Sequence, residues 1–276
     1  MINCSHVQKN ADVMHELPVV RAHGLLFVAD PHVAALPPMQ RLEGYREQVL
    51  DKVRFCLQTA RKQDLVPVFL GDLFHWPRGN PQGLLVELVE MFRPYMPWVL
   101  VGNHDKYLER LTPDVSLAVL QTAGVIRLID HAGPVFRLKT PAQTVLLGAS
   151  PNGYPLPAFF PATDDASVIW ISHHNVGFRD FRDKAIAIRE IPGIDWVVNG
   201  HIHRPQPSEK KGQTTWANPG NITRLSFTKR TLARVPVATV WRPGYEDLER
   251  VAIPHLPFEQ IFPEQAFPVE EEPEIL

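Results

Sequence analysis

The apolar positions of this chain follow two rhythms. Leu25–Ala29, Val66–Leu70, Trp98–Val101, Val168–Ile171 and Trp196–Val198 are short, almost unbroken runs rich in Leu, Val, Ile, Phe and Trp. Such runs, with no polar alternation and no helical period, predict strands buried on both faces. Between the first two, Leu42, Tyr45, Val49, Val53, Cys56 (with Leu57) and Ala60 recur at three- and four-residue spacings, predicting a long amphipathic helix. Shorter helices are predicted over 81–92 and 114–123, and strands over 125–129, 135–138 and 145–147. A loop rich in Pro and Gly follows through Asp165. After residue 203 the helical signal fades, and 214–217, 224–227, 237–241 and 248–253 read as strands of a meander. The pattern is α/β. One domain is expected over 21–255, after an N-terminal arm at 1–20 and before a flexible, acidic tail at 256–276 that is rich in Pro and Glu.

Composition narrows this picture. With 276 residues and 45% hydrophobic content, the chain can bury a substantial core. No run of eighteen apolar residues predicts a membrane span, and residues 1–16 hold no apolar signal core. Two cysteines build no disulfide framework, and Cys56 falls on the apolar side of its helix, so a reducing cytoplasm is expected. The net charge of −2 conceals an asymmetry. Residues 256–276 carry six glutamates and no Lys or Arg, so the remainder is net positive. Between Arg204 and Arg242 the bases are opposed only by Glu209. That excess could face a polyanion; solvated loop and strand faces explain it as well.

What changes the picture is where the polar residues fall. Five apolar runs end in groups able to bind a ligand: Asp30/His32, Asp72, Asn103/His104, His173 and His201/His203. Glycine precedes Asp72, Asn103 and His201. Taken singly, each motif reads as a capped polar turn. Their recurrence after successive core strands points instead to one crevice at the carboxyl ends of an α/β sheet. Oxygen and imidazole donors suit divalent transition ions, and no cysteine is placed for a thiolate site. His173 and His174 are adjacent, so on an extended segment only one can face the crevice. His6, His15, His23, His131 and His255 match no motif.

Asp30-Pro31-His32, Gly71-Asp72-Leu73-Phe74, Gly102-Asn103-His104-Asp105, His173 and Gly200-His201-Ile202-His203 resemble, in order, the motif series of the calcineurin-like metallophosphoesterases. A narrower likeness is to the nuclease subunit of SbcCD-type DNA repair exonucleases. It rests on Gly71–His75, on Asp195–His203 followed by Arg204-Pro205-Gln206, and on Asn218-Pro219-Gly220-Asn221 with Arg224. The resemblance implies two mixed β-sheets packed face to face with helices outside. It also implies two divalent metal ions, manganese expected and Fe, Zn or Mg compatible. Asp30, His32, Asp72 and His203 would hold one, and Asp72, Asn103, His173 and His201 the other. His104 would act on the leaving or a phosphate oxygen, with Asp105 either orienting its ring or capping the turn. His75 and Arg224 are candidate substrate contacts. The implied function is a phosphodiesterase acting on DNA. A phosphomonoesterase or small-nucleotide phosphodiesterase is the rival reading, and a non-catalytic scaffold a more distant one. Implied partners are DNA, an SbcC-like ATPase and a second copy of the chain.

Overall fold

The unbroken apolar runs are strands with something packed against each face. The computed structural model describes residues 17–161, 163–179, 185–226 and 234–263. In chain order it holds β1 (Val19–Arg21), β2 (Gly24–Val28), helix α1 (Tyr45–Lys62), β3 (Leu65–Phe69), α2 (Gln82–Phe92), β4 (Trp98–Leu100), α3 (Ser116–Thr122) and β5 (Arg127–Ile129). Then come β6 (Gly133–Lys139), β7 (Thr144–Ser150), β8 (Ser167–Ser172), β9 (Val176–Gly177), β10 (Ile186–Ala187) and β11 (Trp196–Asn199). The last strands are β12 (Gln206–Lys211), β13 (Thr214–Asn218), β14 (Val237–Trp241) and β15 (Glu249–Ala252).

They form two large mixed sheets. A six-stranded sheet runs β15-β14-β2-β3-β4-β5, with β2 to β5 parallel. A seven-stranded sheet runs β1-β6-β7-β8-β11-β13-β12, with β7, β8, β11 and β13 parallel. Strand alternation explains the packing. Leu25 and Phe27 of β2, with Val68 of β3, meet Phe136, Leu147, Ile169 and Val198 of the other sheet. Leu26 and Val28 point the opposite way, onto Val49, Val53 and Leu57 of α1. Each such fully buried Leu or Phe side chain stabilises by about 1.5–3 kcal/mol. The outer face of the seven-stranded sheet is covered by loop residues such as Ile191 and Ile194 over Trp170 and Trp216. Among the described residues, helices therefore flank one sheet only.

Several local expectations are corrected. Residues 17–20 of the expected arm include part of β1, which pairs with β6; an edge strand this short carries no period. β12 was not expected, because Gln206–Lys211 is a polar edge strand exposed along much of its length. Arg224–Ser226 is loop rather than strand, and the rest of the expected 224–227 strand lies outside the described residues. α1 begins at Tyr45 rather than Leu42, because Gly44 at φ 79° sets the turn into it. The first residues of the expected tail form a one-turn helix over Phe258–Gln260, and Phe258, Ile261 and Phe262 are buried together. The remainder of the tail lies outside the described residues.

Candidate metal centre

The carboxyl ends of the parallel strands in both sheets meet at one place. Loops after β2, β3 and β4 bring Asp30, Asp72 and Asn103 from one sheet; loops after β8 and β11 bring His173, His201 and His203 from the other. The approach is so close that only glycine fits beside it. A Cβ at Gly102 would stand 2.1 Å from Asp72 Oδ1, one at Gly71 2.3 Å from His173 Nδ1, and one at Gly200 2.4 Å from the Leu70 carbonyl oxygen. These are the three glycines that precede Asp72, Asn103 and His201. Asp30 (φ 44°), His32 (51°), Asp72 (48°) and His201 (72°) all adopt left-handed backbone conformations. That geometry is uncommon for residues other than glycine and clusters at functional sites.

Three groups of donors result; one is His32, His75 and His104, and the other two share Asp72. Of those two, His32, Asp72 and His203 form one, and Asp72, His173 and His201 the other, with the donor atoms of each group within 4.8 Å of one another. In the first, His32 Nε2 faces His203 Nε2 at 2.9 Å and lies 3.8 Å from Asp72 Oδ2. In the second, His173 Nε2 lies 3.3 Å from Asp72 Oδ2, and Asn103 Oδ1 lies 3.0 Å from both His173 Nε2 and His201 Nδ1. Asp30 Oδ1 accepts the His201 N–H at 3.1 Å and lies 3.6 Å from His173 Nδ1. His173 Nδ1 donates to the Leu70 carbonyl at 2.7 Å, which turns Nε2 toward Asp72. His174 points away, its ring nitrogen on the Tyr154 carbonyl, so His173 is the member of the pair that faces the site. Asp30, His32, Asp72 and His173 are fully buried, whereas Asn103, His104, His201 and His203 are partly exposed and mark the open side.

The electrostatics suit a cation. Burial, reinforced by the neighbouring His203, pushes His32 well below its usual range. Burial likewise pushes His203 down to about 3, against the pull of Asp72, and His201 down to about 4, helped by His173. Those rings are therefore neutral near pH 7, the form that binds metal. Burial raises Asp30 to about 7 against the opposing pull of His173. Asp72 lies far below the usual carboxylate range, because His173 and His32 together outweigh its burial. Asp30 Oδ2 and Asp72 Oδ2 are buried and accept no hydrogen bond from the described residues. Carboxylate oxygens without donors, set among imidazole nitrogens, form a donor set that a divalent cation completes.

A family model described as calcineurin-like phosphoesterase matches residues 24–205, a span that reaches from β2 past His203. The chain belongs to the calcineurin-like phosphoesterases. Members hydrolyse phosphoester bonds at dinuclear metal centres, and the fold of two mixed sheets is the family's own. Among solved structures, the phosphoesterase is similar to a 5'-nucleotidase from Candida albicans SC5314 at 12% identity and a TM-score of 0.42. That likeness covers 75% of this chain and 48% of the other, so the chain spans about half its length. No curated protein matches the sequence.

The remaining expected site residues of the phosphoesterase divide. His104 is at the site: its N–H donates to Asp72 Oδ1 at 2.8 Å, its Nδ1 donates to the His75 carbonyl at 2.8 Å, and its ring lies 4.8 Å from that of His32. His75 is beside it, its ring stacked 5.5 Å from that of His104 and edge-on to that of the exposed Trp76 at 4.5 Å. Asp105 faces the backbone of the turn. Its carboxylate accepts the Gly102 N–H at 2.9 Å and the Phe74 N–H at 3.2 Å, so it braces the turn on which Asn103 and His104 sit. Burial and the nearby Asp72 raise it to about 6. Arg224 is not at the site; it is 2% exposed and donates to the Leu256 carbonyl at 2.6 Å. The basic stretch is also less available than its sequence suggests. Arg234 donates to the His203 and Thr223 carbonyls and Arg242 to Gln63, while Lys210 and Lys211 remain exposed.

Two contributors escaped the sequence reading. The Tyr45 hydroxyl donates to the His32 carbonyl at 2.7 Å, and the Leu70 carbonyl fixes His173. Tyr45 reads as one more apolar-face residue of a helix, and a main-chain carbonyl has no sequence signature.

Proposed function

We propose that this phosphoesterase hydrolyses phosphodiesters and that DNA is its substrate. The reading is carried by two donor groups sharing Asp72, with the His104 imidazole alongside. Asp30, His32, Asp72 and His203 would hold one divalent ion, and Asp72, Asn103, His173 and His201 the other. Manganese is the ion proposed. Such a pair supplies Lewis acidity, polarising phosphoryl oxygens and acidifying water near neutral pH. The chain's own groups do the rest. Asp105 holds the turn, and the His75 carbonyl accepts a hydrogen bond from the Nδ1–H of His104. Nε2 is thereby left as the nitrogen that exchanges a proton with a phosphate or leaving oxygen. Trp76, 55% exposed beside His75, offers a face on which a nucleobase could stack. A phosphomonoesterase is the second reading, favoured by the withdrawal of Arg224 and Arg234 from the surface a polyanion would meet.

The test compares supercoiled plasmid, an aryl phosphodiester and an aryl phosphomonoester, each with manganese. Wild-type protein should cleave DNA and the diester. His104→Ala should keep its metal and lose about 10²–10⁴-fold in turnover, while Asp72→Ala should lose both metal and activity. Hydrolysis of the monoester with intact plasmid would overturn the DNA assignment.

A further inference from the structure

Behind the loops of His32 and His203 lies a group of buried cations that phosphoester chemistry does not use. Arg41, Lys52 and Arg224 are 5%, 4% and 2% exposed. They come from the turn before α1, the inner face of α1 and the 221–226 loop. The 256–262 segment closes over them, with Phe262 against Arg41 and Phe258 against Arg224. Arg234 approaches as well, and it, Arg41 and Arg224 all act on the Lys52 ammonium; burial first, and these neighbours second, push that group down to about 7.

Neutral partners satisfy only part of this cluster. Arg41 donates to the Arg224 carbonyl at 3.1 Å and to Gln48 Oε1 at 2.5 Å, and Arg224 donates to the Leu256 carbonyl. Carbonyl and amide oxygens complete hydrogen bonds without supplying a negative charge. Glu259, the carboxylate acting on Arg224, is exposed. Among the described residues, Arg41 Nε, Arg224 Nε and Thr223 Oγ1 are buried without hydrogen-bond partners, and Lys52 makes no hydrogen bond. A guanidinium does not lose its proton in a protein, and a buried charge without a counter-charge costs several kcal/mol.

We propose that Lys52, the Nε–H groups of Arg41 and Arg224 and the Thr223 hydroxyl hold a tetrahedral oxyanion of the phosphate or sulfate type. The site is structural and stands back to back with the metal centre. Tyr45, whose ring lies under Arg41, bonds the His32 carbonyl, and Arg234 bonds the His203 carbonyl. An anion here steadies the backbone of both residues.

Thermal unfolding under a sulfate titration, against sodium chloride at matched ionic strength, tests it. Sulfate is chosen because phosphoester hydrolysis neither makes nor consumes it. Wild-type protein should show a saturable rise in Tm of a few degrees, with and without a chelator. In saturating sulfate Lys52→Met should unfold at lower temperature than the wild type and show no response to the titration, while Lys52→Arg should keep it. No saturable rise would overturn the proposal. So would a higher Tm for Lys52→Met than for the wild type in saturating sulfate, since that variant would then be relieving an uncompensated charge. A response that disappears with chelator would belong to the metal centre and would equally overturn it. None of these outcomes depends on whether DNA is the substrate.

Discussion

The two donor groups share a carboxylate but are held in place by different means. In the group of Asp72, His173 and His201, the protein itself fixes the rings. His173 is tied to the Leu70 carbonyl, and Asn103 Oδ1 sits between His173 and His201. In the group of His32, Asp72 and His203, the rings face each other, and among the described residues His32 Nδ1 is buried without a partner. Support there comes through the backbone, from Tyr45 to His32 and from Arg234 to His203. One half is positioned directly by the strand ends. The other leans on a helix and an arginine outside the sheets. It follows that the second half should be the more easily weakened without loss of fold.

The largest expected effect removes the distinction altogether. Gly102→Ala places a methyl group 2.1 Å from Asp72 Oδ1 and 2.4 Å from the Asp72 nitrogen. Overpacking of this kind costs about 1–3 kcal/mol, and the displaced carboxylate belongs to both halves. Metal analysis after gel filtration should find both ions lost, with a cooperative unfolding transition retained at lower temperature.

Acidity separates the halves. Despite burial, Asp72 and Asp30 hold His173 up to about 9, whereas His203 lies near 3 and Asp30 near 7. Metal binds the deprotonated forms, so affinity rises with pH until the last competing proton has gone. With Asp30 as its proposed fourth donor, the half of His32 and His203 should gain affinity only up to about pH 7. The half containing His173 should continue to gain to about pH 9, by about tenfold per pH unit for each proton displaced. Calorimetric manganese titrations at pH 6, 7.5 and 9 should resolve the two trends. Parallel curves would erase the proposed difference.

Tyr45→Phe gives the smallest effect and the most selective. It deletes the hydroxyl that bonds the His32 carbonyl and leaves that carbonyl buried, at a cost of about 1 kcal/mol. Affinity at the His32 half should fall about tenfold, with the His173 half unchanged in the same titration.

Much of this organisation can be read from the residue order. The apolar runs place the strands because both faces are buried, and their polar ends place the crevice. The glycines before Asp72, Asn103 and His201 mark where two sheets come too close for a side chain. Direction is harder to read than position. His173 and His174 differ only in which way an extended residue points. Asp105 beside His104 resembles a carboxylate steadying a ring, yet the turn aims it at backbone N–H groups. Arg224 looks like a surface base until Leu256 and Phe258 return to cover it. Such contacts depend on chain segments distant in sequence, and no local pattern encodes them.

The dry contact between the sheets, where Phe27 and Val68 meet Ile169 and Val198, carries a consequence for chemistry. Because each sheet supplies part of the donor set, the thickness of that oily layer fixes how far the carboxylates stand from the imidazoles. A cavity or an extra methyl group there, well away from any ion, would be felt as a change of bite, so this interior acts as the gauge to which the metal centre is cut.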